Sequence, residues 1–244
     1  LSDINGEVVL LTNSIISPTT IEIIQSFKKK YNVKHVQYDT ISYDGMLNAN
    51  FDSFGVRALP TYFLDKADVI VSFGADFLNS WLNVDFEREY VSNRNPKSGK
   101  MSRHFQIESN LSLSGSNADV RIAAKPSEQL FLIENLYNTL KGKVSADKRI
   151  SQLVKELKSA KGHSLVMSGS NNTNVQIMIN GINNLLNNYG STLDIEKPCY
   201  LKKGNEKDIV DLISDMKSGK VGALIVHGVN PAYSLPKNLD FTSA

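Results

Sequence analysis

The 244-residue chain reads as an α/β protein built on parallel sheets, and three observations carry that expectation. Short aliphatic runs such as Val8 to Leu11 and Val69 to Phe73 alternate with longer segments whose apolar residues recur at helical spacing. Strands joined through helices imply parallel pairing with right-handed crossovers. One phrase, an apolar run entering a glycine turn, occurs twice: Ala67-Asp68-Val69-Ile70-Val71-Ser72-Phe73-Gly74-Ala75-Asp76-Phe77 and Ala223-Leu224-Ile225-Val226-His227-Gly228-Val229-Asn230-Pro231. The carboxyl edge of an open α/β sheet, where strands release such turns, is where nucleotides bind.

The elements follow in order. Val8 to Leu11 is a strand, Asn13 to Pro18 a turn, and Pro18-Thr19-Thr20 opens a helix whose apolar face is Ile21, Ile23, Ile24 and Phe27. Lys28 to Lys30 complement the dipole at its end, and Val33 to Val36 begins the next strand. Tyr43 to Phe54 is ambiguous, a candidate short helix ending at Gly55, and Leu59-Pro60 breaks regular structure. After the strand Val69 to Phe73, Phe77 to Tyr90 reads as a helix with Trp81 packed inside. His104 to Ile107 and Val120 to Ala123 are strands, and Ser127 caps a helix running to about Leu140. Ser145 to Lys161 is an amphipathic helix ending at Gly162. His163 to Met167 is a strand entering the turn Ser168 to Asn172, and Val175 to Asn188 and Glu206 to Met216 are helices before the last strand.

Laid side by side, the halves form a rough repeat: Val8–Leu11 answers to Leu165–Met167, and Gly74 to Gly228. Two parallel-sheet units are therefore expected, at 1–142 and 143–244. Recurrence of strand, turn and helix in any α/β chain is the plainer account of the same pattern.

Composition narrows the function. A net charge of +2 gives no global argument for nucleic acid or an anionic membrane, and 41% hydrophobic residues are those of a globular protein. A single cysteine, Cys199, excludes an internal disulfide and any multi-cysteine cluster within these residues. The four histidines, His35, His104, His163 and His227, show no ligand spacing on a common helix. No run of about twenty apolar residues exists, so no membrane insertion is expected. The start at Leu1 and the stop at Ala244 look like those of an excised fragment.

The motifs together resemble the molybdopterin oxidoreductase family, in which two Rossmann-like domains each hold one arm of a bis(guanine dinucleotide) cofactor. The family's strand-Gly-x-Asn-Pro turn matches Gly228-Val229-Asn230-Pro231, followed by Ala232-Tyr233-Ser234-Leu235-Pro236. Its other copy aligns with Gly74-Ala75-Asp76-Phe77, where Asp76 and Phe77 depart from Asn and Pro. A longer match runs through Glu108-Ser109-Asn110, Ser112, Ser114, Ala118-Asp119 and Lys125-Pro126-Ser127-Glu128. Leu165 to Asn172 is similar to the turn opening the family's other cofactor domain. Within the group, Ser72 to Leu78 with Trp81, and Gly115 to Arg121, look like the molybdopterin-like region of the iron–sulfur B subunit of alternative complex III.

That resemblance implies a scaffold region without a cofactor of its own, not catalytic alone, in an oxidoreductase subunit of a respiratory quinol-oxidising electron-transfer complex. Iron–sulfur clusters would lie elsewhere in the parent chain, and the partners would be its other domains and the subunits of a membrane complex on the periplasmic side of the bacterial inner membrane. The alternative it implies is an active bis(molybdopterin guanine dinucleotide) enzyme. A third reading, from another class, is a free-standing nucleotide enzyme. Were a nucleotide held, Gly74, Gly169 and Gly228 would allow close backbone approach to phosphate, Glu108 would meet ribose hydroxyls and Asn230 would orient the turn or a base. By itself, Gly228-Val229-Asn230-Pro231 is also an ordinary strand-ending turn. Cys199, in Lys197-Pro198-Cys199-Tyr200, lies in the wrong context for a molybdenum ligand.

Overall fold

The computed structural model describes residues 4–82, 85–99 and 101–244. The first elements in chain order are β1 (Glu7–Thr12), α1 (Pro18–Tyr31), β2 (Val33–Gln37), α2 (Asp44–Phe54), β3 (Leu59–Tyr62), β4 (Val69–Phe73), α3 (Asp85–Ser92) and β5 (Arg103–Glu108). There follow α4 (Leu113–Ser116), β6 (Val120–Ala123), α5 (Pro126–Leu140), α6 (Lys148–Ser159), β7 (Ser164–Ser168) and α7 (Thr173–Leu185). The last are β8 (Leu193–Cys199), α8 (Glu206–Lys217), β9 (Val221–His227) and α9 (Pro231–Ser234). The fold is mixed α/β with parallel-sheet units of Rossmann-like type, as the alternation of strand and helix predicts.

Two compact units make up the chain, Leu1–Asp44 with Tyr200–Ala244, and Gly45–Cys199. The outer unit, formed by the two ends of the chain, is a parallel sheet of order β2-β1-β9. Side chains alternate across it: Val9, Leu11 and Val36 pack with Ile209, Leu212 and Ile213 of α8, and Val8, Leu10 and Val33 with Ile24 and Phe27 of α1. Helix α1 begins where the Ser17 hydroxyl accepts from Thr20 N, with Pro18 in the first turn, and ends at Asn32 in the left-handed conformation after the three lysines.

The inner unit holds a parallel sheet of order β6-β5-β4-β7. One face buries Val71, Phe73, Phe105, Ile107 and Val166 beneath Leu132, Ile133 and Leu136 of α5, Leu153 and Leu157 of α6 and Ile179 and Ile182 of α7. At about 25 cal/mol per Å² of apolar surface, this continuous core is the main stabilising term of the unit. Beside it β3 and β8 form an antiparallel two-stranded ribbon.

The units do not divide at 142/143. That boundary falls between α5 and α6, which share one core. Strand pairing is non-local: β1 takes β9 as a neighbour and β4 takes β7, so each expected half supplies strands to both sheets. Three local expectations also change. Residues 77–82 are turns rather than helix, because Leu82 takes a positive φ of 61° that a right-handed helix cannot hold, and residues 83–84 of the expected helix lie outside the described residues. Leu59-Pro60 is a strand, and β8 carries Pro198; a two-stranded ribbon has free edges that tolerate a missing N–H. The long helix is capped at Lys125, with Glu128 accepting from Lys125 N at 2.8 Å, rather than at Ser127.

Candidate functional site

In the inner sheet the chain steps from β4 to β5 to β6 on one side, and β7 lies on the other side of β4. The reversal of strand order between β4 and β7 is the place where open α/β sheets leave a crevice at their carboxyl ends. A cleft of about 380 Å³ opens there, lined by Gly74, Glu108, Ser109, Asn110, Gln129 and Gly169 among others. A neighbouring hollow of about 340 Å³ runs past Ser109 and Pro126 to Lys125. Three of the five expected site residues, Gly74, Glu108 and Gly169, therefore line one cleft. Gly228 and Asn230 belong to the outer unit.

The two inner glycines are required for different reasons: Gly74 takes a positive φ of 67°, and Gly169 has no room for a side chain. A Cβ on Gly169 would stand 2.5 Å from the Gly74 carbonyl oxygen, so the turns after β4 and β7 touch through backbone. Their amides are not presented to the cleft: Gly74 N donates to Ile107 O at 2.8 Å and Gly169 N to Phe73 O at 3.0 Å. The turn after β7 also binds itself. Ser170 N donates to the Ser168 hydroxyl, Asn172 N to the Ser170 hydroxyl, and Val175 N to Asn172 Oδ1, while Gly45 N of α2 donates to Asn171 Oδ1. A phosphate cradle needs such N–H groups free and convergent.

Glu108 is buried at the end of β5, and its carboxylate is fully engaged. Oε1 accepts from Arg121 Nε at 2.7 Å and Ser112 N at 3.2 Å; Oε2 accepts from the Ser112 hydroxyl at 2.5 Å and Gln106 Nε2 at 3.2 Å. A carboxylate offers about four lone-pair positions, so none is left for a ribose hydroxyl. Burial pushes this carboxyl up, but the hydrogen bonds from Ser112, Arg121 and Gln106 outweigh it and hold it below its ordinary 4.5. The carboxylate lies so close to Gly115 that a Cβ there would stand 1.9 Å from Oε1.

Behind Glu108 a polar stripe runs down the same face of β5. Gln106 Oε1 lies 3.1 Å from His104 Nε2, and His104 Nδ1 lies 3.1 Å from the Tyr90 hydroxyl. Residues two apart on a strand share a face, which aligns His104, Gln106 and Glu108. Burial pushes the His104 imidazole down to about 4. Asp76 and Phe77 serve this same side. Asp76 Oδ1 accepts from Ser114 N at 2.9 Å, and Phe77 packs against His104 and Tyr90 with ring centres 5.1 and 5.6 Å away. Where the other copy of the phrase has Asn-Pro, Asn230 Oδ1 accepts from Tyr233 N at 3.3 Å and caps α9.

The outer unit repeats the arrangement with different residues. Asp39, just beyond β2, accepts the Ser14 hydroxyl at 2.5 Å, Ser14 N at 2.9 Å and Gly204 N at 3.2 Å. Ser14 Oγ in turn accepts from Lys203 N at 2.6 Å. Gly228 lies against the Asn13 side chain, whose Oδ1 would be 2.9 Å from an added Cβ. Neither Asp39 nor Ser14 is singled out by the sequence motifs. The signal that finds them is an acid at the end of the second strand of a β-α-β unit. Among the described residues no three His, Cys, Asp or Glu side chains group as metal ligands. No described helix is long and apolar enough to cross a membrane.

No protein-family model matches the chain, and no curated protein sequence does. A search of solved structures finds a chain of the formyltransferase/hydrolase complex FhcABCD from Methylorubrum extorquens, determined with methylofuran. The TM-score is 0.63 at 15% identity, over 93% of this chain and 71% of that one. At that identity the likeness shows the fold. It corrects the expected membership in the molybdopterin oxidoreductases and the likeness to alternative complex III, together with the oxidoreductase and quinol-oxidising roles that came with them. The physical reason is that glycine turns and strand-end acids arise wherever parallel strands release their loops, whatever the chemistry above them.

Proposed function

We propose that this chain is a structural part of a larger multi-subunit enzyme assembly, in which nucleotide-type clefts persist as architecture and are closed by the chain's own side chains. One observation carries the reading: in both units the strand-end carboxylate, Glu108 or Asp39, is held by a serine hydroxyl at 2.5 Å and by that serine's backbone N–H. The donation of the Gly74 and Gly169 amides to neighbouring strands supports it. Assembly with other subunits is supported by the likeness to a chain of a formyltransferase/hydrolase complex. On this reading the chain carries no cofactor of its own, and catalysis belongs to its partners.

The test is calorimetry of the purified full-length protein with guanosine mono- and diphosphate, alongside metal and pterin analysis. No heat of binding up to millimolar ligand is expected, with neither metal nor pterin in stoichiometric amount. Saturable binding with perturbation of the Gly74 or Gly169 amides, or stoichiometric pterin, overturns the proposal.

A further inference from the structure

The buried pair Tyr90 and His104 joins α3 to β5 through hydrogen bonds that a neutral histidine cannot all satisfy. The amide of Gln106 fixes the direction of the row. Its Nε2 donates to Ala75 O at 3.3 Å and to Glu108 Oε2 at 3.2 Å, which uses both of its protons. Its Oε1 therefore faces the histidine as an acceptor, and His104 Nε2, 3.1 Å away, must carry a proton.

At the other ring nitrogen the Tyr90 hydroxyl has one proton and two acceptors. His104 Nδ1 lies 3.1 Å from it and Asn117 O 3.0 Å. Burial pushes the phenol up to about 12, so it keeps its proton. Beside a neutral ring, that single proton serves either the bare Nδ1 or the carbonyl, never both. Beside an imidazolium, Nδ1–H donates to the phenol oxygen and the phenol proton goes to Asn117 O. The row is one proton short when His104 is neutral and complete when it is charged.

The charges around the ring are already matched. Asp119, which accepts from His104 N at 2.7 Å, pairs with Arg94 at 2.8 Å, and Glu108 pairs with Arg121. Asp76, on the loop that sets Phe77 against the ring, accepts from Ser114 N and Asn79 Nδ2. On β4, Ile70 stands opposite His104 and brings no charge. Burial holds the imidazole down at about 4, so the ring is neutral at pH 7. The phenol proton then points to Nδ1, which is buried and has no other donor among the described residues, while water serves the exposed Asn117.

We propose that His104 is a proton-gated latch on α4: when Nδ1 takes a proton from solvent, the Tyr90 hydroxyl turns from the histidine to Asn117 O and ties the C-terminal end of α4 to α3. The opposite end of α4 begins at Ser112, whose hydroxyl and N–H hold Glu108 at the cleft. Protonation thus fixes this wall of the cleft at both of its ends. The latch lies wholly within the inner unit and stands whether or not the cleft binds a nucleotide.

The test is nuclear magnetic resonance of the full-length protein with 15N in its histidine rings and 13C in its carbonyls. The His104 signals are those lost in His104→Gln. At pH 7 the ring should carry its proton on Nε2, and on acidification the Asn117 carbonyl signal should move with the midpoint of the ring. Tyr90→Phe takes more hydrogen bonding from the charged row than from the neutral one, and should lower that midpoint by about one pH unit. Gln106→Leu takes the acceptor from Nε2 and should move the neutral ring's proton to Nδ1, shifting the Asn117 carbonyl at pH 7 without acid. A wild-type proton on Nδ1 at pH 7 overturns the latch, as does an Asn117 carbonyl indifferent to the ring, or a Tyr90→Phe midpoint unchanged or raised. So does unfolding before the ring titrates, because the charged folded form then never exists. Should Gln106→Leu fail to fold, the wild-type tautomer and the Tyr90→Phe midpoint decide.

Discussion

The carboxyl edges of the two sheets solve one problem with two sets of residues. Each ends its second strand in an acid, and each acid is held by a serine hydroxyl at 2.5 Å with the serine N–H beside it. The inner edge adds a cation: Arg121 brings a charged donor to Glu108 at 2.7 Å. The outer edge adds backbone, through Gly204 N on Asp39 and Lys203 N on the serine itself. The difference teaches where the negative charge is compensated. A nearly buried carboxylate is costly unless paired, so Glu108 needs Arg121. Asp39 is half-exposed, where solvent screens its charge, and the donors named above are a hydroxyl and backbone amides.

Five substitutions sharpen that comparison, beginning with the largest effect. Arg121→Leu leaves Glu108 buried without its cation and should cost about 3 kcal/mol in urea unfolding, at the low end for breaking a buried pair. A loss below about 1 kcal/mol would place the inner acid on the same footing as the outer one. Gly115→Ala forces a methyl onto Oε1 and should cost about 2–3 kcal/mol. Gly204→Ala, whose Cβ would meet Asp39 Oδ2 at 2.8 Å, should cost less, about 1–2 kcal/mol.

The serines come next, with the order reversed. Ser14→Ala removes an acceptor of the Lys203 and Gly204 amides as well as a donor to Asp39, and should cost about 2 kcal/mol. Ser112→Ala leaves Arg121 and Gln106 on Glu108, so about 1–1.5 kcal/mol is expected. Equal losses in the two variants would show that the backbone donors around Ser14 find water at no cost.

Acid separates the edges further. His104 is buried and neutral, with its folded value lowered from 6.5 to about 4. The unfolded chain therefore takes up a proton that the folded chain resists, and stability falls as pH drops from about 6.5 towards 4. His35 in the outer unit is lowered too, by partial burial and by Lys28 and Lys203, and should add a loss in the same direction below about 6.5. Glu108 acts at lower pH. Its folded value is lowered, so its contribution is whole above about 4.5 and is lost as pH falls below that. His104→Gln should flatten the unfolding free energy between pH 6.5 and 4 while leaving the loss below 4.5 in place. An unchanged slope would assign the acid sensitivity to the outer unit.

Much of the site was legible as positions and little of it as roles. Gly74, Gly169 and Glu108 do line one cleft, because strand ends in a parallel sheet converge on one edge. That Glu108 is occupied by Ser112 and Arg121 could not be read, since one donor comes from the next loop and the other from the adjacent strand. In the sequence Asp76-Phe77 shows only as a departure from the Asn-Pro of the other copy. In the fold it anchors α4 through Ser114 N and fills the space around His104.

By itself the sequence determined the local order: aliphatic runs made strands, Pro18 opened the first helix and Gly55 closed the second, because these choices depend on neighbours a few residues away. The tertiary structure alone decided which strands share a sheet. Strand β9 returns to β1 and β7 to β4, so the chain divides into an outer unit made from its two ends and an inner unit made from its middle. Hydrogen bonding between strands carries no local signature, and burial of both faces of each sheet is settled only when helices from distant segments close over them.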